Sequence, residues 1–267
     1  MRIIRTRRAL LKYRRGLSGS VGFVPTMGAL HEGHLSLVRR ARKECQYTIV
    51  SIFVNPTQFG PHEDYLKYPR PERADVALLK GEKCDAVFIP KAVEEVYARG
   101  DETSIRARVS LTRILCGPLR PGHFDGVCTV VYKLFQWVAP DRAYFGLKDY
   151  QQVKVIEAMV KDLNLGVRIV PCPTRREKSG LALSSRNQYL SPAHQDAAAI
   201  LYSTLSSAKS IAVARQQLAR AGFKVQYLES RSEDLETLNK GPSGRWLFAG
   251  FFHGVRLIDN LKREGVR

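Results

Sequence analysis

Two histidines three residues apart, His31 and His34, lie in the string Pro25-Thr26-Met27-Gly28-Ala29-Leu30-His31-Glu32-Gly33-His34. On a helical turn that spacing puts both rings on one face. Gly33 between them lets a flat ring such as adenine approach the backbone closely. A helix start also offers N–H groups and a positive dipole end, which suit phosphate. The spacing does not match the H-E-x-x-H pattern of a helical zinc site, so no metal held by protein ligands is expected. Two histidines that merely cap or pack a helix are the plainer account.

Three further strings place donors and acceptors at turns. In Asn55-Pro56-Thr57-Gln58-Phe59, the Asn and Gln side chains carry donor and acceptor together. They can read a hydroxyl and a carboxylate oxygen without adding charge; an ordinary Asn-Pro turn is the competing account. Phe145-Gly146-Leu147-Lys148-Asp149-Tyr150-Gln151-Gln152 joins a glycine open to close approach, a mobile point charge at Lys148 and Gln152 one turn into a helix. As a mere surface pair, Lys148 and Asp149 would contribute little. Leu183-Ser184-Ser185-Arg186-Asn187 gathers two hydroxyls and a guanidinium, a donor set for phosphate oxygens, although many polar loops share that composition.

These strings need a scaffold, and the hydrophobic pattern supplies one. Residues 20–25, 47–54, 85–90, 142–145 and 167–171 read as strands, and 47–54 is apolar almost throughout, as a strand buried on both faces should be. Helical spacing covers 35–44, 72–83, 127–138 and 151–163. Alternation of the two predicts an α/β fold with a mostly parallel, Rossmann-like sheet. Ligands bind beyond the carboxyl ends of such strands. The loops after Val24, Val54 and Phe145 are therefore the places to look. After Pro171 the pattern changes: 172–191 is polar and broken by Pro and Gly, 193–221 is helical with a break near 206–210, and 224–230 and 246–252 read as strands. The expected division is a domain over 1–173 and a smaller α+β lid over 174–267.

Composition limits the classes of function. The chain has 267 residues, 44% of them hydrophobic, with no apolar stretch long enough for a bilayer and no apolar signal-peptide core after its basic start. A cytoplasmic protein without a membrane partner is expected. Five scattered cysteines, none in a C-x-x-C pair, argue for reduced thiols rather than a disulfide or metal framework. The net charge of +18 favours anionic ligands and would equally suit nucleic acid. However, the charge is dispersed and shows no aromatic platform interleaved with it, so nucleic acid is not expected as a partner.

The string PTMGALHEGH resembles the His-x-Gly-His signature of the nucleotidyltransferase superfamily, and that of pantothenate synthetases in particular. The segments around Gln58, Lys148 and Ser184–Arg186 are similar to the same family, the last as a short counterpart of the Lys-Met-Ser-Lys-Ser loop of class I aminoacyl-tRNA synthetases. Matching strings fall between residues 23 and 191, and beyond them only Arg256-Leu257-Ile258-Asp259-Asn260 looks alike. Where family members usually carry Glu, this chain has Leu147. The resemblance implies an ATP-dependent ligase that joins pantoate to β-alanine through a pantoyl adenylate, with Mg²⁺ accompanying ATP and a homodimeric assembly. It assigns His31, His34, Lys148 and Asn55 to catalysis. ATP would be met by Met27, Gly28, Ala29, Leu30, His31, Glu32, Gly33 and His34, by Gly146, Leu147, Lys148 and Asp149, and by Arg175, Leu183, Ser184, Ser185 and Arg186. Arg175 would act through its backbone. Gln58 and Gln152 would hold pantoate, and Arg120-Pro121-Gly122-His123-Phe124 would shape a substrate tunnel or a subunit contact.

On that reading the pantoate carboxylate attacks the α-phosphorus of ATP and pyrophosphate leaves; the β-alanine amine then attacks the mixed anhydride and AMP leaves. Protein groups position and neutralise developing charge, and closure of residues 175–267 keeps water away. Two rival readings are a nucleotidyltransferase that leaves the nucleotide on its product, and a nucleic-acid-binding protein on a similar scaffold. Gln58 and Gln152 speak against the first, because the general signature does not require them.

Overall fold

Short runs of Val, Ile and Phe, each closed by a turn, build the centre of the larger unit. The computed structural model describes residues 1–97, 103–238 and 244–263. Six strands, β1 (Arg2–Ile4), β2 (Val21–Thr26), β3 (Tyr47–Ile52), β4 (Ala86–Phe88), β5 (Arg142–Gly146) and β6 (Arg168–Cys172), form one sheet in the order β1-β4-β3-β2-β5-β6. Every neighbouring pair is parallel. The chain steps outward from β2 through β3 to β4, then returns to add β5 on the other side of β2. That reversal puts the topological switch between β2 and β5, whose carboxyl ends are Thr26 and Gly146.

Helices supply the covering layers: α1 (Arg7–Arg15), α2 (Glu32–Glu44), α3 (Glu72–Gly81), the short α4 (Val109–Thr112) and α5 (Cys116–Leu119), α6 (His123–Val138) and α7 (Tyr150–Asp162). A core cluster joins Leu37, Val38 and Ala41 of α2 and Leu79 of α3 to Val24, Val50 and Val87 of the strands. Burying one such Leu or Val is worth about 1.5–3 kcal/mol. The expected Rossmann-like class is borne out.

Several short elements lie where no structure was read, β1 and α1 among them. β1 has three residues, too few to show a period. α1 is amphipathic but short and strongly basic, with Leu10 its buried residue; Thr6 caps it by accepting from the Ala9 N–H at 3.2 Å. Helices α2 and α6 also start earlier than hydrophobic spacing suggests, at Glu32 and His123 rather than 35 and 127.

Residue clustering separates a second unit, made of Leu147–Lys154 and Pro173–Arg267, from the first, made of Met1–Gly146 and Val155–Cys172. Within the second unit β7 (Lys224–Arg231), β8 (Gly244–Phe252) and β9 (Val255–Arg263) form an antiparallel sheet in that order. The helical stretch read over 193–221 is three helices: α8 (Pro192–Ala198), α9 (Ile200–Ser207) and α10 (Ile211–Arg220). Leu201, Leu205 and Leu218 pack with Phe223, Trp246, Phe248 and Leu257 in a core of its own.

Candidate active site

The histidine loop leaves β2 at the sheet's carboxyl edge and is tied down before the first ring is reached. Thr26 Oγ1 donates to the Ser51 carbonyl at 2.8 Å and accepts from the Gly28 N–H at 3.2 Å. Gly28 has φ +85°, and a Cβ there would come within 2.9 Å of Ile52 Cγ2. Only glycine suits that geometry. Ala29 follows at φ 49°, a left-handed conformation that costs a non-glycine residue about 1–2 kcal/mol. The compensation comes from Asp75 on α3, whose two carboxylate oxygens accept from the Ala29 and Leu30 N–H groups at 2.9 and 2.8 Å. Asp75 is 1% exposed. Burial raises its pKa above the ordinary aspartate value, and the two N–H donors offset only part of that rise.

His31 is the N-cap of α2. Its Nδ1 accepts from the Gly33 N–H at 3.1 Å, while His34 Nδ1 accepts from the His31 N–H at 3.4 Å, a reciprocal capping box. The two rings are 4.0 Å apart. Because both Nδ1 atoms accept from the backbone, the neutral form of each ring carries its proton on Nε2. The loop thus presents two imidazoles as N–H donors without requiring positive charge. The capping account is correct as far as it goes, and it fixes the tautomer each ring presents.

The second cluster in this unit surrounds Gln58, in a 3-10 turn (Pro56–Gln58) capped by Asn55. Asn55 Nδ2 donates to Gln58 Oε1 at 3.1 Å and to the Gly126 carbonyl at 3.2 Å; Asn55 Oδ1 accepts from Tyr97 OH at 2.8 Å and Thr57 Oγ1 at 3.0 Å. Gln58 Nε2 lies 3.0 Å from Met27 Sδ, so the glutamine meets the histidine loop directly. Helix α6 approaches the turn backbone to backbone: a Cβ on Gly126 would fall 2.3 Å from the Thr57 carbonyl oxygen.

The Arg120–Phe124 string acquires a role here. Arg120 Nη1 can only donate, so His123 Nε2 accepts from it at 2.8 Å and His123 Nδ1–H donates to the Gln58 carbonyl at 2.8 Å. Arg120 also pairs with Glu63. Burial by itself would raise the Glu63 carboxyl, but the Arg120 bond and charge overcome it and hold it below the usual glutamate range. The string therefore fixes the backbone under Gln58. A neighbouring cavity of about 590 Å³ is lined by Pro56 and residues 59–67, none of them assigned from sequence to the site.

The remaining assigned residues lie in the second unit, except Gly146, where a Cβ would meet open space. Lys148 occupies a 3-10 turn (Leu147–Asp149) just before α7, with Nζ 3.6 Å from Asp149 Oδ2. Gln152 is the third residue of α7 and half-buried. Residues 175–183 form a small hairpin: Leu183 N donates to the Arg175 carbonyl at 2.9 Å, Glu177 N to the Leu181 carbonyl at 2.8 Å, and Arg176 bridges Ala182. The Leu183 bond already occupies the Arg175 carbonyl. Ser184 then caps a 3-10 turn (Ser185–Tyr189), its Oγ accepting from the Arg186 N–H at 3.3 Å, with Asn187 buried beneath and donating to the Ala182 carbonyl. Among the described residues no group of three or more His, Cys, Asp or Glu side chains is arranged to hold a metal ion.

Sequence reasoning missed Asp75 and Tyr97, and gave no role to Asp259 and Asn260 within the matching string Arg256–Asn260. Asp75 was visible in principle: it stands four residues before Leu79, so a lone acid occupies the buried stripe of α3. Tyr97 had no local signal, since it reaches Asn55 across 42 residues of sequence.

A parallel sheet that reverses at β2, with a histidine-capped helix at its carboxyl edge, defines a Rossmann-like α/β nucleotide-binding protein. The family model for pantoate–β-alanine ligase matches residues 2–262. Among curated relatives, the pantothenate synthetase of Dehalococcoides mccartyi is 54% identical, with 94% of this chain and 98% of the relative covered. That of Rubrobacter xylanophilus is 49% identical, with coverage of 95% and 94%. The crystal structure of the Thermus thermophilus pantothenate synthetase superposes with a TM-score of 0.90 at 46% identity, covering 98% of this chain and 99% of that one. A Francisella tularensis pantoate–β-alanine ligase, described as complexed with β–γ ATP and β-alanine, gives 0.88 at 38% identity over 98% and 97%. The chain belongs to the pantoate–β-alanine ligase family, and the resemblance read from PTMGALHEGH is borne out. Its reaction is the ATP-dependent joining of pantoate to β-alanine.

Proposed function

We propose that this ligase works through a pantoyl adenylate, with His31 and His34 serving the nucleotide phosphates as neutral Nε2–H donors and Gln58 holding pantoate. The observation that carries the reading is the reciprocal histidine cap at the carboxyl edge of β2, whose loop touches Gln58 through Met27. Donors fixed before the substrate arrives stabilise charge without reorganisation during the reaction. The chain's other residues have assigned parts. Lys148, Ser184, Ser185 and Arg186 would neutralise the β and γ phosphates, with Met27, Gly28, Ala29, Leu30, Glu32 and Gly33 against the nucleotide. Gly146, Leu147, Asp149, Arg175 and Leu183 would give it backbone or edge contacts. Asn55 holds the Gln58 amide in place, and Gln152 would help align the pantoate carboxylate.

Mg²⁺ is the metal this chemistry calls for. It is commonly carried on substrate phosphates with few protein ligands. The residues present fit that mode, because Asp75 is spent on backbone N–H groups and Asp149 adjoins Lys148. When bound it would supply neutralisation of the triphosphate. The same reading makes the protein a cytoplasmic homodimer; its five free cysteines suit a reducing compartment. No helix among the described residues is long and apolar enough to cross a membrane.

Mass spectrometry of products from ATP, Mg²⁺, pantoate and β-alanine, omitting each in turn, tests the route. Pantothenate and AMP should need all components. Pantoate-dependent exchange between ATP and pyrophosphate should persist without β-alanine; if that exchange requires β-alanine, the adenylate route is wrong.

A further inference from the structure

β9, an edge strand of the three-stranded sheet, carries two adjacent buried polar residues, Asp259 at 3% exposure and Asn260 at 5%, where apolar residues would pack at less cost. Successive residues of a strand point to opposite faces, and their pairing with Phe248 and Leu247 is regular. Each therefore reaches a different neighbour.

Asn260 directs both amide N–H donors at one turn and its carbonyl oxygen at one arginine. Its Nδ2 donates to the Leu147 carbonyl at 2.8 Å and the Lys148 carbonyl at 3.0 Å, while Oδ1 accepts from Arg245 Nη1 at 2.7 Å. Arg245 is itself stacked on the Tyr150 ring at 4.0 Å, at the start of α7. On the other face, Asp259 makes a two-pronged pair with Arg176 at 2.6 and 2.8 Å, and Arg176 also donates to the Gly180 carbonyl at 3.1 Å and lies 3.9 Å over the Tyr202 ring. Arg176 closes the hairpin that runs from Arg175 to Leu183, immediately before Ser184. A paired guanidinium and carboxylate of this kind fix orientation as well as distance.

We propose that Asp259 and Asn260 are a positioning pair for the phosphate-binding segments: Asn260 sets the Lys148 turn and Asp259 sets the hairpin that leads into Ser184–Arg186. The inference rests on the assignment of Lys148 and the Ser184–Arg186 loop to ATP. Neither residue touches substrate. Asn is required at 260 because two backbone carbonyls need two N–H donors while Arg245 needs an acceptor. Aspartate there would keep the shape and the arginine partner but turn an anionic oxygen toward the two carbonyls.

The test uses the full-length protein and compares Asn260→Asp, Lys148→Ala and the double variant, with ATP affinity measured by calorimetry, substrate KM values by steady-state assay, and melting as a check on the fold. Asn260→Asp should weaken ATP by about tenfold or more while the pantoate KM stays within about twofold. In the double variant, ATP should bind within about twofold of Lys148→Ala alone, because the asparagine acts through the turn the lysine occupies. Should Asn260→Asp fail to fold, Asn260→Ser, which retains a short donor, is measured in its place with the same expectations. An unchanged ATP affinity, equal losses for ATP and pantoate, or losses that multiply in the double variant would overturn the proposal. If Lys148→Ala binds and turns over ATP normally, the assignment of Lys148 fails instead, and that result is separable from the others.

Discussion

Two regions of the molecule hold their assigned residues by different means. In the first unit the histidine loop and Gln58 are locked by backbone contacts to buried groups: Asp75 under Ala29 and Leu30, Gly126 against Thr57, and His123 on the Gln58 carbonyl. In the second, the Lys148 turn and the Ser184 hairpin hang on two side chains of one strand, Asp259 and Asn260, each with an arginine partner. Where the backbone itself is gripped from below, a substitution should disturb folding and catalysis together. Where a few polar side chains aim a surface turn, catalysis should suffer first.

The largest effect should come from the groups proposed to meet the phosphates. His34→Ala and Lys148→Ala should each lower pantoate-dependent ATP–pyrophosphate exchange by about 10²–10³-fold. The two should differ in melting. His34→Ala removes half of a capping box and should cost about 1 kcal/mol of stability, whereas Lys148, paired only loosely with Asp149, should cost almost none. Equal melting losses would erase the contrast.

Asp75 gives the next test. Asp75→Ala strands the buried Ala29 N–H, at about 1–3 kcal/mol, and the part-buried Leu30 N–H, and should reduce kcat/KM by about 10–100-fold as the loop relaxes. Its titration adds a signature. The buried carboxyl has a raised pKa in the folded chain, so the folded state binds this proton more readily than the unfolded state. Its contribution to stability is full below the unfolded pKa and is lost as pH rises through the folded one. Melting followed from acid to neutral pH should show that decline in the parent and lose it in Asp75→Asn. The smallest effect belongs to the exposed ion-pair cluster of Arg39 with Glu32 and Glu82. Arg39→Ala should change stability by at most about 1 kcal/mol and leave exchange kinetics untouched, which checks that charge near the histidine helix is not itself the determinant.

Much of the first unit was legible because its signals are local. Residues of β3 are buried on both faces and read as a nearly continuous apolar run, and the histidine string carries its spacing on its face. What failed to show was structure set by distant partners. The cap of α2 is a histidine, outside the usual Ser, Thr, Asp and Asn set, so the helix seemed to begin at its first apolar residue. β9 alternates imperfectly because Asp259 and Asn260 interrupt its buried positions, and they are polar there for the sake of Arg176 and the Lys148 turn. The stretch read over 193–221 breaks at Ala208, inside the expected 206–210, and also at Ala199, which carries no breaker signal.

The bond between Asn260 and the Lys148 carbonyl spans 112 residues of sequence. A ribosome therefore releases the lysine turn long before the strand that orients it, and the intervening helices must form while the turn still lacks its clamp. Contacts so far apart along the chain are late and slow to form. A nascent chain arrested before β9 should hold an assembled parallel sheet and an unset Lys148 turn, so on the role proposed for that turn competence for ATP would be among the last properties gained in synthesis.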